Sequence, residues 1–153
     1  MKYFVTGAPP LVRPARQGDL PDVLDLLKTS KLPTDGLADH LASTLVAEAE
    51  GRLVGCAAVE IHGTTGLLRS VAVDPARRGQ GLGHQLTQAA LDLASLRGVT
   101  SVYLLTTAAG DFFPRFGFKK IDRKEMDPAL EPSAELRGAC PASALAMRAE
   151  LRR

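Results

Sequence analysis

The sequence lacks the features of a secreted, membrane-spanning or nucleic-acid-binding protein. Its 153 residues include only two cysteines, Cys56 and Cys140, and no CxxC motif. A reduced, cytoplasmic protein is therefore expected. No apolar run approaches the roughly 18 residues of a membrane span, and the N-terminus lacks the apolar stretch of a signal peptide. The net charge of +2 gives no reason to expect a nucleic acid as a partner.

The composition is that of an ordinary globular domain. Apolar residues make up 45% of the chain and charged residues 24%, and the length suits one domain with a proper core. There is no internal repeat and no low-complexity tract. Residues 1–10, with three Gly and Pro residues near their end, are interpreted as a leader, and residues 11–153 as the domain.

The order of patterns along the chain predicts an α+β fold. Leu11–Arg16 is a short strand candidate in which Pro14 favours a sheet edge, and Asp19–Thr29 has the apolar spacing of a helix. Three strands follow with glycine turns between them, at Gly51–Arg52 and at 63–66. The later elements are a helix at 82–97, a strand at 101–107, a short helix near Pro114 and strands at 118–122 and 143–151. This order indicates a mixed, mainly antiparallel sheet flanked by helices.

The segment "RRGQGLG", at Arg77–Gly83, lies where a strand ends and the long helix begins. Glycines allow a tight turn that brings backbone N–H groups close to a ligand. The first turn of a helix offers unpaired N–H donors and the positive end of its dipole, which together suit a phosphate. The segment has neither the Gly-Lys-Ser/Thr ending of a P-loop nor the glycine spacing of a dinucleotide fold. A glycine-rich turn with solvated arginines is the alternative.

Several motifs resemble those of the GNAT N-acetyltransferase superfamily. Arg78–Gly83 is similar to its R/Q-x-x-G-x-G/A signature, and both the preceding "LLRSVAVDP" and the later "FFPRFGF" resemble family motifs. The resemblance covers residues 11–122. Within the superfamily, "LPTDGL", "LLTTAAGDFFPRFGF" and "CPASALAM" are similar to small acetyltransferases encoded in arsenic-resistance operons.

The resemblance implies acetyl-CoA as the co-substrate and a set of residues that bind it. Residues 78–83 would wrap the pyrophosphate, and the backbone of residues 71–73 would pair with the pantetheine arm as an added strand. Thr106 stands where many relatives carry an asparagine that contacts the cofactor. The implied cofactor residues, with Phe113 of the aromatic motif, are Val71, Ala72, Val73, Arg78, Gly79, Gln80, Gly81, Leu82, Gly83, Thr106 and Phe113.

The catalytic groups are less clearly marked. The resemblance implies that the N–H of Val71 stabilises the oxyanion, and Thr106 is a further candidate near the reacting atoms, although a poor acid. Relatives often carry a tyrosine, placed to protonate the leaving thiolate, where this chain has Phe113, which has no proton to give. Glu60 and His62 share one face of a strand. If they are buried, they are candidates for the general base, and burial would raise the pKa of Glu60. The alternative is a pair of side chains that face solvent.

Arg69 is unusual as a basic residue in the middle of an apolar strand. It is interpreted either as a clamp for a substrate carboxylate or as the partner of Glu60 in a salt bridge, with its side chain facing away from that of Ser70. Thr34 and Asp35, in the "LPTDGL" loop, are expected at the mouth of the substrate site. His84, at the start of the long helix, is expected to face water, with a contact to the cofactor as the alternative, and His40 is expected at the surface.

The leading functional prediction is an acetyl-CoA-dependent N-acetyltransferase for the amine of a small molecule. The resemblance admits a glutamate-like toxin as that substrate. A protein N-terminal acetyltransferase and an acyl-CoA-binding sensor without catalysis remain alternatives, the second because of Phe113. The resemblance also allows a homodimer, although no heptad pattern requires one. No metal is expected.

Overall fold

In the computed structural model, which describes residues 9–107 and 110–151, seven strands form one mixed sheet. The strands are β1 (Leu11–Pro14), β2 (Thr44–Ala49), β3 (Arg52–His62), β4 (Thr65–Val73), β5 (Ser101–Thr106), β6 (Lys119–Ile121) and β7 (Leu145–Glu150). Their order across the sheet is β1-β2-β3-β4-β5-β7-β6. Only β4 and β5 are parallel among the described pairs. The predicted α+β class is confirmed.

Two α-helices cover opposite faces of the sheet. Helix α1 (Leu20–Thr29) places Val23 and Leu27 against the face that contains Cys56, and helix α2 (Leu82–Leu96) covers the other face. Successive β3 residues serve the two cores in turn, because side chains alternate across a strand. Cys56 is fully buried, as predicted, and both cysteines are free thiols. Among the described residues, no helix combines the length and the apolar character that crossing a membrane requires.

Short 3₁₀ segments complete the described connections. They span Gln17–Asp19, Leu37–Ser43, Pro75–Arg77, Phe113–Phe116, Arg123–Glu125 and Pro128–Leu130, and a single π turn spans Glu135–Ala139. The predicted leader lies mostly outside the described residues, which begin at Pro9.

Sequence patterns located most elements but missed some of their ends. β1 ends at Pro14, in an edge strand as expected, rather than at Arg16. The first hairpin turns at Glu50 and Gly51, which both have positive φ, so Arg52 belongs to β3. Asp19 precedes α1, but its carboxylate does not cap the helix; it accepts hydrogen bonds from Arg13 and from the N–H of Arg16.

Candidate active site

The parallel pairing of β4 and β5 extends over only three residues. Thr65, Gly66 and Leu67 face Ser101, Val102 and Tyr103, and among the described residues the β4–β5 pairing goes no further. The later residues of β4, up to Val73, and those of β5, up to Thr106, therefore border a gap in the sheet. Such a gap exposes strand backbone that interior sheet positions would use for pairing, so the candidate site lies there.

A β-bulge in β4 shapes one wall of this gap. Ala58 faces Arg69 and Cys56 faces Ala72, so Ser70 and Val71 together oppose one residue of β3. Ser70 has φ of 59°, a left-handed conformation that costs a residue other than glycine about 1–2 kcal/mol. A bulge re-aims side chains: Arg69 Nε lies 3.0 Å from Ser70 Oγ, to which it donates. The expectation that these two side chains face opposite ways is wrong.

The glycine-rich segment lines a cleft of about 580 Å³, here called the glycine-loop cleft. Gly79 and Gly81 both have φ near +80°, which only glycine adopts without strain, and Gly81 immediately precedes α2. The lining residues are Ser30, Leu32, Val71, Ala72, Val73, Arg77, Arg78, Gly79, Gly81, Leu82, Gly83, His84, Phe112 and Arg115. This list contains every residue of the predicted 71–73 and 78–83 segments except Gln80.

The polar groups of this cleft include two that the sequence did not reveal. Ser30 Oγ is buried and has no hydrogen-bond partner among the described residues, and Arg115 lies over the ring of Phe112 at 4.7 Å. Arg78 Nε donates to the carbonyl of Val73 at 3.2 Å, so this arginine rests against the end of β4. His84 is exposed, as expected, and its ring lies at a tilted angle to that of Phe116, with centroids 4.7 Å apart.

A second cavity of about 480 Å³, the inner cavity, lies in the gap and shares Leu32 and Val71 with the glycine-loop cleft. Its lining residues are Lys31, Leu32, Pro33, Leu68, Arg69, Ser70, Val71, Leu104, Leu105, Thr106, Thr107, Phe113, Glu135, Ala139, Cys140 and Pro141. The predicted residues Arg69, Val71, Thr106 and Phe113 thus lie together. Thr34 and Asp35 are not part of this wall; the preceding residues of their loop, Lys31 to Pro33, take the position predicted for them.

Glu60 is fully buried behind the cavity wall. Its Oε2 accepts from Arg69 Nη1 at 2.8 Å and from Ser133 Oγ at 3.1 Å, and its Oε1 lies 2.9 Å from His62 Nε2. Burial alone raises the pKa of Glu60, but the hydrogen bonds from Arg69 and His62 outweigh it and hold the pKa below its ordinary value. The prediction that the pKa of Glu60 is raised is therefore wrong. The alternative, in which Glu60 and His62 form a solvated pair, is also wrong because Glu60 is fully buried.

Of the two interpretations of Arg69, the structure contains the salt bridge to Glu60. The Arg69 side chain is itself fully buried, and its Nε also lies 3.4 Å from Glu135 Oε2. A buried guanidinium without a carboxylate would be strongly unfavourable. Arg69 is also part of the wall of the inner cavity.

Glu135 is the acidic residue of the inner cavity, and sequence reasoning missed it. It lies in the π turn at 135–139, is almost completely buried, and accepts a hydrogen bond from the Cys140 thiol. Burial raises the pKa of Glu135, because its charged form loses hydration, although Arg69 opposes the rise. Burial and the neighbouring Glu135 likewise raise the pKa of Cys140 to about 12. A sequence signal was lacking, because Glu135 lies in a segment without periodic pattern.

His40 and Phe113 complete the surroundings of the site. His40 was expected at the surface, but it is partly buried with Nε2 at 3.5 Å from Glu60 Oε1, and burial lowers its pKa. Phe113 is 7% exposed, and its ring packs edge-on against Phe112 at 5.1 Å and Phe118 at 6.0 Å. The position that often holds a tyrosine in relatives is therefore an apolar part of the cavity wall.

The comparison with family models matches residues 40–120 to the family described as acetyltransferase (GNAT) domain. The chain belongs to the GNAT family. The matched region contains the strands β2–β5, helix α2 and the glycine-rich segment. Within it lie all the lining residues of the glycine-loop cleft except Ser30 and Leu32.

Individual GNAT proteins resemble the chain over most of its length. An amino-acid acetyltransferase of Mycobacterium tuberculosis is 34% identical over 125 residues, which are 74% of this chain and 70% of that protein. The structure of Rv2747 from Mycobacterium tuberculosis in complex with CoA and NLQ has a TM-score of 0.78 at 27% identity and covers 94% of this chain and 100% of that one.

A further structure shows the same fold in a longer protein. N-acetylglutamate synthase from Neisseria gonorrhoeae, complexed with coenzyme A and N-acetyl-glutamate, has a TM-score of 0.80 at 24% identity. It covers 97% of this chain, but only 36% of that chain is matched. The chain likewise spans 61% of one other curated GNAT relative and 28% of two more.

Proposed function

We propose that the protein is an acetyl-CoA-dependent N-acetyltransferase that acetylates the amine of a small, amino-acid-like molecule. The observation that carries this proposal is the pair of cavities that meet at Leu32 and Val71 in the gap between β4 and β5. One has a phosphate-binding helix terminus on its wall, and the other has buried charged groups. A thioester carried by the first cavity would reach the second at Val71.

The glycine-loop cleft has the groups that coenzyme A requires. Gly79 and Gly81 hold the left-handed turns that bring backbone N–H groups to a pyrophosphate, and α2 adds its N-terminal donors. Arg77, Arg78 and Arg115 supply positive charge, and Ser30 Oγ is a buried polar group available to a ligand. The Mycobacterium relative Rv2747, whose structure contains CoA, supports the same assignment.

In this reaction the neutral amine attacks the thioester carbonyl, an N–C bond forms, and the C–S bond breaks with release of the thiolate. The bulge at Ser70 and Val71 disturbs the β3–β4 pairing beside the inner cavity, which supports the N–H of Val71 as the oxyanion donor. Glu135 is the better candidate for the base, since it lies in the cavity wall with a raised pKa. Glu60 acts as a positioning residue, because it contacts Arg69.

The charges of the inner cavity favour a zwitterionic substrate. Lys31 and Arg69 are cationic and suit carboxylates, while Glu135 suits the amine. Lys31 adopts a left-handed φ of 59°, a strained conformation of the kind that recurs at ligand sites. The amino-acid acetyltransferase among the relatives supports this class. A glutamate-like toxin, linked to arsenic resistance by the sequence resemblance, is the narrower proposal within it.

The experiment is a thiol-release assay with acetyl-CoA and a panel of amines. The panel contains glutamate, glutamine, phosphinothricin, arsinothricin, an uncharged amine and a short peptide, with product acetylation checked by mass spectrometry. We expect release with small carboxylate-bearing amines and little with the peptide, because a cavity of about 480 Å³, with Glu135, Ala139 and Cys140 on its wall, suits a small molecule better than a chain. Release with the peptide alone would favour N-terminal acetylation instead.

A sensor that binds acyl-CoA without catalysis is the second candidate, and Phe113 is the observation that favours it. The ring fills the cavity wall where relatives often have a proton donor. A coenzyme A thiol has a pKa near the free-cysteine value of about 8.5, so the thiolate can leave without one. A sensor would bind acetyl-CoA and release no thiol with any amine.

Replacing Phe113 by tyrosine tests whether a proton donor is missing. We expect Phe113→Tyr to keep the affinity for acetyl-CoA and to raise kcat by up to about 10²-fold if thiolate departure limits the rate. The matched control is Phe112→Tyr, whose ring lines the glycine-loop cleft instead and should leave kcat unchanged. Steady-state kinetics over a range of pH measure both. A fall in kcat with intact binding would show that the apolar ring itself is required.

Substituting Gly81 tests the phosphate-binding role of the loop. We expect Gly81→Ala to weaken coenzyme A binding at least tenfold, which corresponds to about 1.4 kcal/mol. The reason is that the added methyl group would occupy the space where the pyrophosphate approaches the backbone. Among the described residues other than its chain neighbours, no heavy atom lies within 4 Å of the new Cβ, so the folded chain accommodates the methyl group apart from strain at φ of 80°.

The control for that strain is Gly98→Ala. Gly98 follows the other end of α2 and has φ of 88°, and in the described part of the chain no heavy atom beyond its chain neighbours lies within 4 Å of a new Cβ. We expect the melting temperature to fall by a similar amount in both variants. Calorimetry should show a lower affinity for coenzyme A only in Gly81→Ala. Equal affinities in the two variants would remove the phosphate-binding role of the loop.

A further inference from the structure

Two imidazoles approach Oε1 of Glu60, the carboxylate oxygen that Arg69 does not contact. His62 Nε2 lies 2.9 Å from Glu60 Oε1, and His40 Nε2 lies 3.5 Å from the same oxygen. The two imidazoles come from different elements, since His62 ends β3 and His40 belongs to the 3₁₀ segment Leu37–Ser43. One ligand atom from each residue lies within 4.8 Å of the other two. The acetyl-transfer proposal uses neither histidine.

The other described contacts of Glu60 involve its second carboxylate oxygen and not Oε1. Its other oxygen, Oε2, is held by Arg69 and Ser133, at 2.8 Å and 3.1 Å. Carboxylates and imidazoles that bind metals are typically oriented by such hydrogen bonds from behind. The carboxylate is therefore fixed in position by groups that would not compete with a cation for Oε1.

The donor set and its spacing fit a divalent transition metal. Imidazole nitrogen and carboxylate oxygen bind Zn²⁺ at about 2.0–2.2 Å, so two ligand atoms of a tetrahedral ion lie roughly 3.3 Å apart. The 2.9 Å and 3.5 Å separations at Glu60 Oε1 bracket this value. The side chains of His40 and His62 are 22% and 16% exposed, which gives an ion a path from solvent.

We propose that His40, Glu60 and His62 form a binding site for a divalent transition-metal ion of the Zn²⁺ class, with a coordination position open to solvent. Two imidazoles and one carboxylate are a ligand set that Zn²⁺ accepts with a water molecule as the fourth ligand. The site adjoins the Glu60–Arg69 pair on the side remote from the inner cavity. It is independent of the proposed acetyl transfer, because its ligands can bind an ion whether or not the protein is a catalyst.

The test is calorimetric titration of ZnCl₂ into the metal-free full-length protein. We expect one equivalent to bind, with affinity lowered at least tenfold in His40→Ala and in His62→Ala and lost in the double variant. The chain has three histidines, so His84→Ala is the matched control and should bind as the wild type does. Co²⁺ in place of Zn²⁺ should give visible absorption bands of tetrahedral coordination that disappear in the double variant.

An alanine variant could also lose Zn²⁺ binding because the hydrogen bond to Glu60 is lost and the fold is disturbed. His62→Gln separates the two causes, since glutamine keeps an N–H donor for Glu60 but lacks the imidazole. We expect His62→Gln to have the melting temperature of the wild type and to bind Zn²⁺ at least tenfold more weakly. Three results would overturn the proposal: absence of binding to the wild type, binding that survives in the double variant, and equal loss in His84→Ala. In those cases the three residues form only a hydrogen-bonded cluster.

Discussion

Glu135→Gln is expected to lower kcat by about 10²–10⁴-fold, the range for loss of a general base, with the affinity for acetyl-CoA unchanged. Glutamine has the same size but cannot take the proton that the substrate ammonium group must lose before its nitrogen attacks. The wild-type carboxylate is almost fully buried in the inner cavity. Stopped-flow or steady-state thiol release measures the effect, and calorimetry measures the binding.

The pH profile distinguishes a base from a structural role. Burial raises the pKa of Glu135, so the active, deprotonated form becomes populated only above that raised value. We therefore expect kcat/KM of the wild type to rise with pH through this pKa, and the acidic limb attributed to Glu135 to disappear in Glu135→Gln. Glu131→Gln is the control, since Glu131 lies in the same segment with its side chain 82% exposed. Full turnover of Glu135→Gln would exclude Glu135 as the base.

Arg69→Met is expected to lower the free energy of unfolding by about 3–5 kcal/mol, the usual loss when one partner of a buried ion pair is removed. Both side chains of the Arg69–Glu60 pair are completely buried, so the remaining carboxylate would lack both its partner and water. The double variant Glu60→Leu/Arg69→Met should recover much of this loss, because it removes both charges of the pair and leaves Glu135, among the described residues, as the one neighbouring acidic group that has lost Arg69. Urea denaturation measures all three proteins.

The same pair predicts a pH dependence of known sign. The pKa of Glu60 in the folded protein lies below its ordinary value, so its stabilisation is present above the unfolded value of about 4.3 and is lost as pH falls through the folded value. The difference between wild type and Arg69→Met should shrink in that acidic range.

The exposed pair Arg52–Asp74 provides the control for this effect. Arg52 has a side chain that is 74% exposed, so Arg52→Ala should cost about 0–1 kcal/mol. A loss in Arg69→Met no larger than the loss in Arg52→Ala would contradict the proposed importance of the buried pair.

The elements that sequence patterns located depend on local signals. The amphipathic spacing of α2, the glycine turns and the segment 78–83 each lie within a few residues of chain. The predicted phosphate-binding role of that segment rests on its composition and on the resemblance to GNAT motifs. Its cofactor residues remain predictions, although all of them except Gln80, Thr106 and Phe113 line the glycine-loop cleft, and the latter two line the inner cavity.

The features that the sequence did not reveal depend on contacts between distant residues. Ser133 reaches Glu60 across 73 positions of sequence, and Glu135 reaches Arg69 from the same segment. The bulge at Ser70 is a mismatch of register between two strands, which neither strand encodes alone. The pKa of Glu60 was misjudged for the same reason, because burial was anticipated without all the donors that oppose its effect.

The most direct test of the account is amine-dependent release of thiol from acetyl-CoA by the purified protein. The account predicts release with small carboxylate-bearing amines, an N-acetylated product by mass spectrometry, and at least tenfold weaker coenzyme A binding in Gly81→Ala but not in Gly98→Ala. Tight binding of acetyl-CoA without thiol release from any amine of the panel would contradict it.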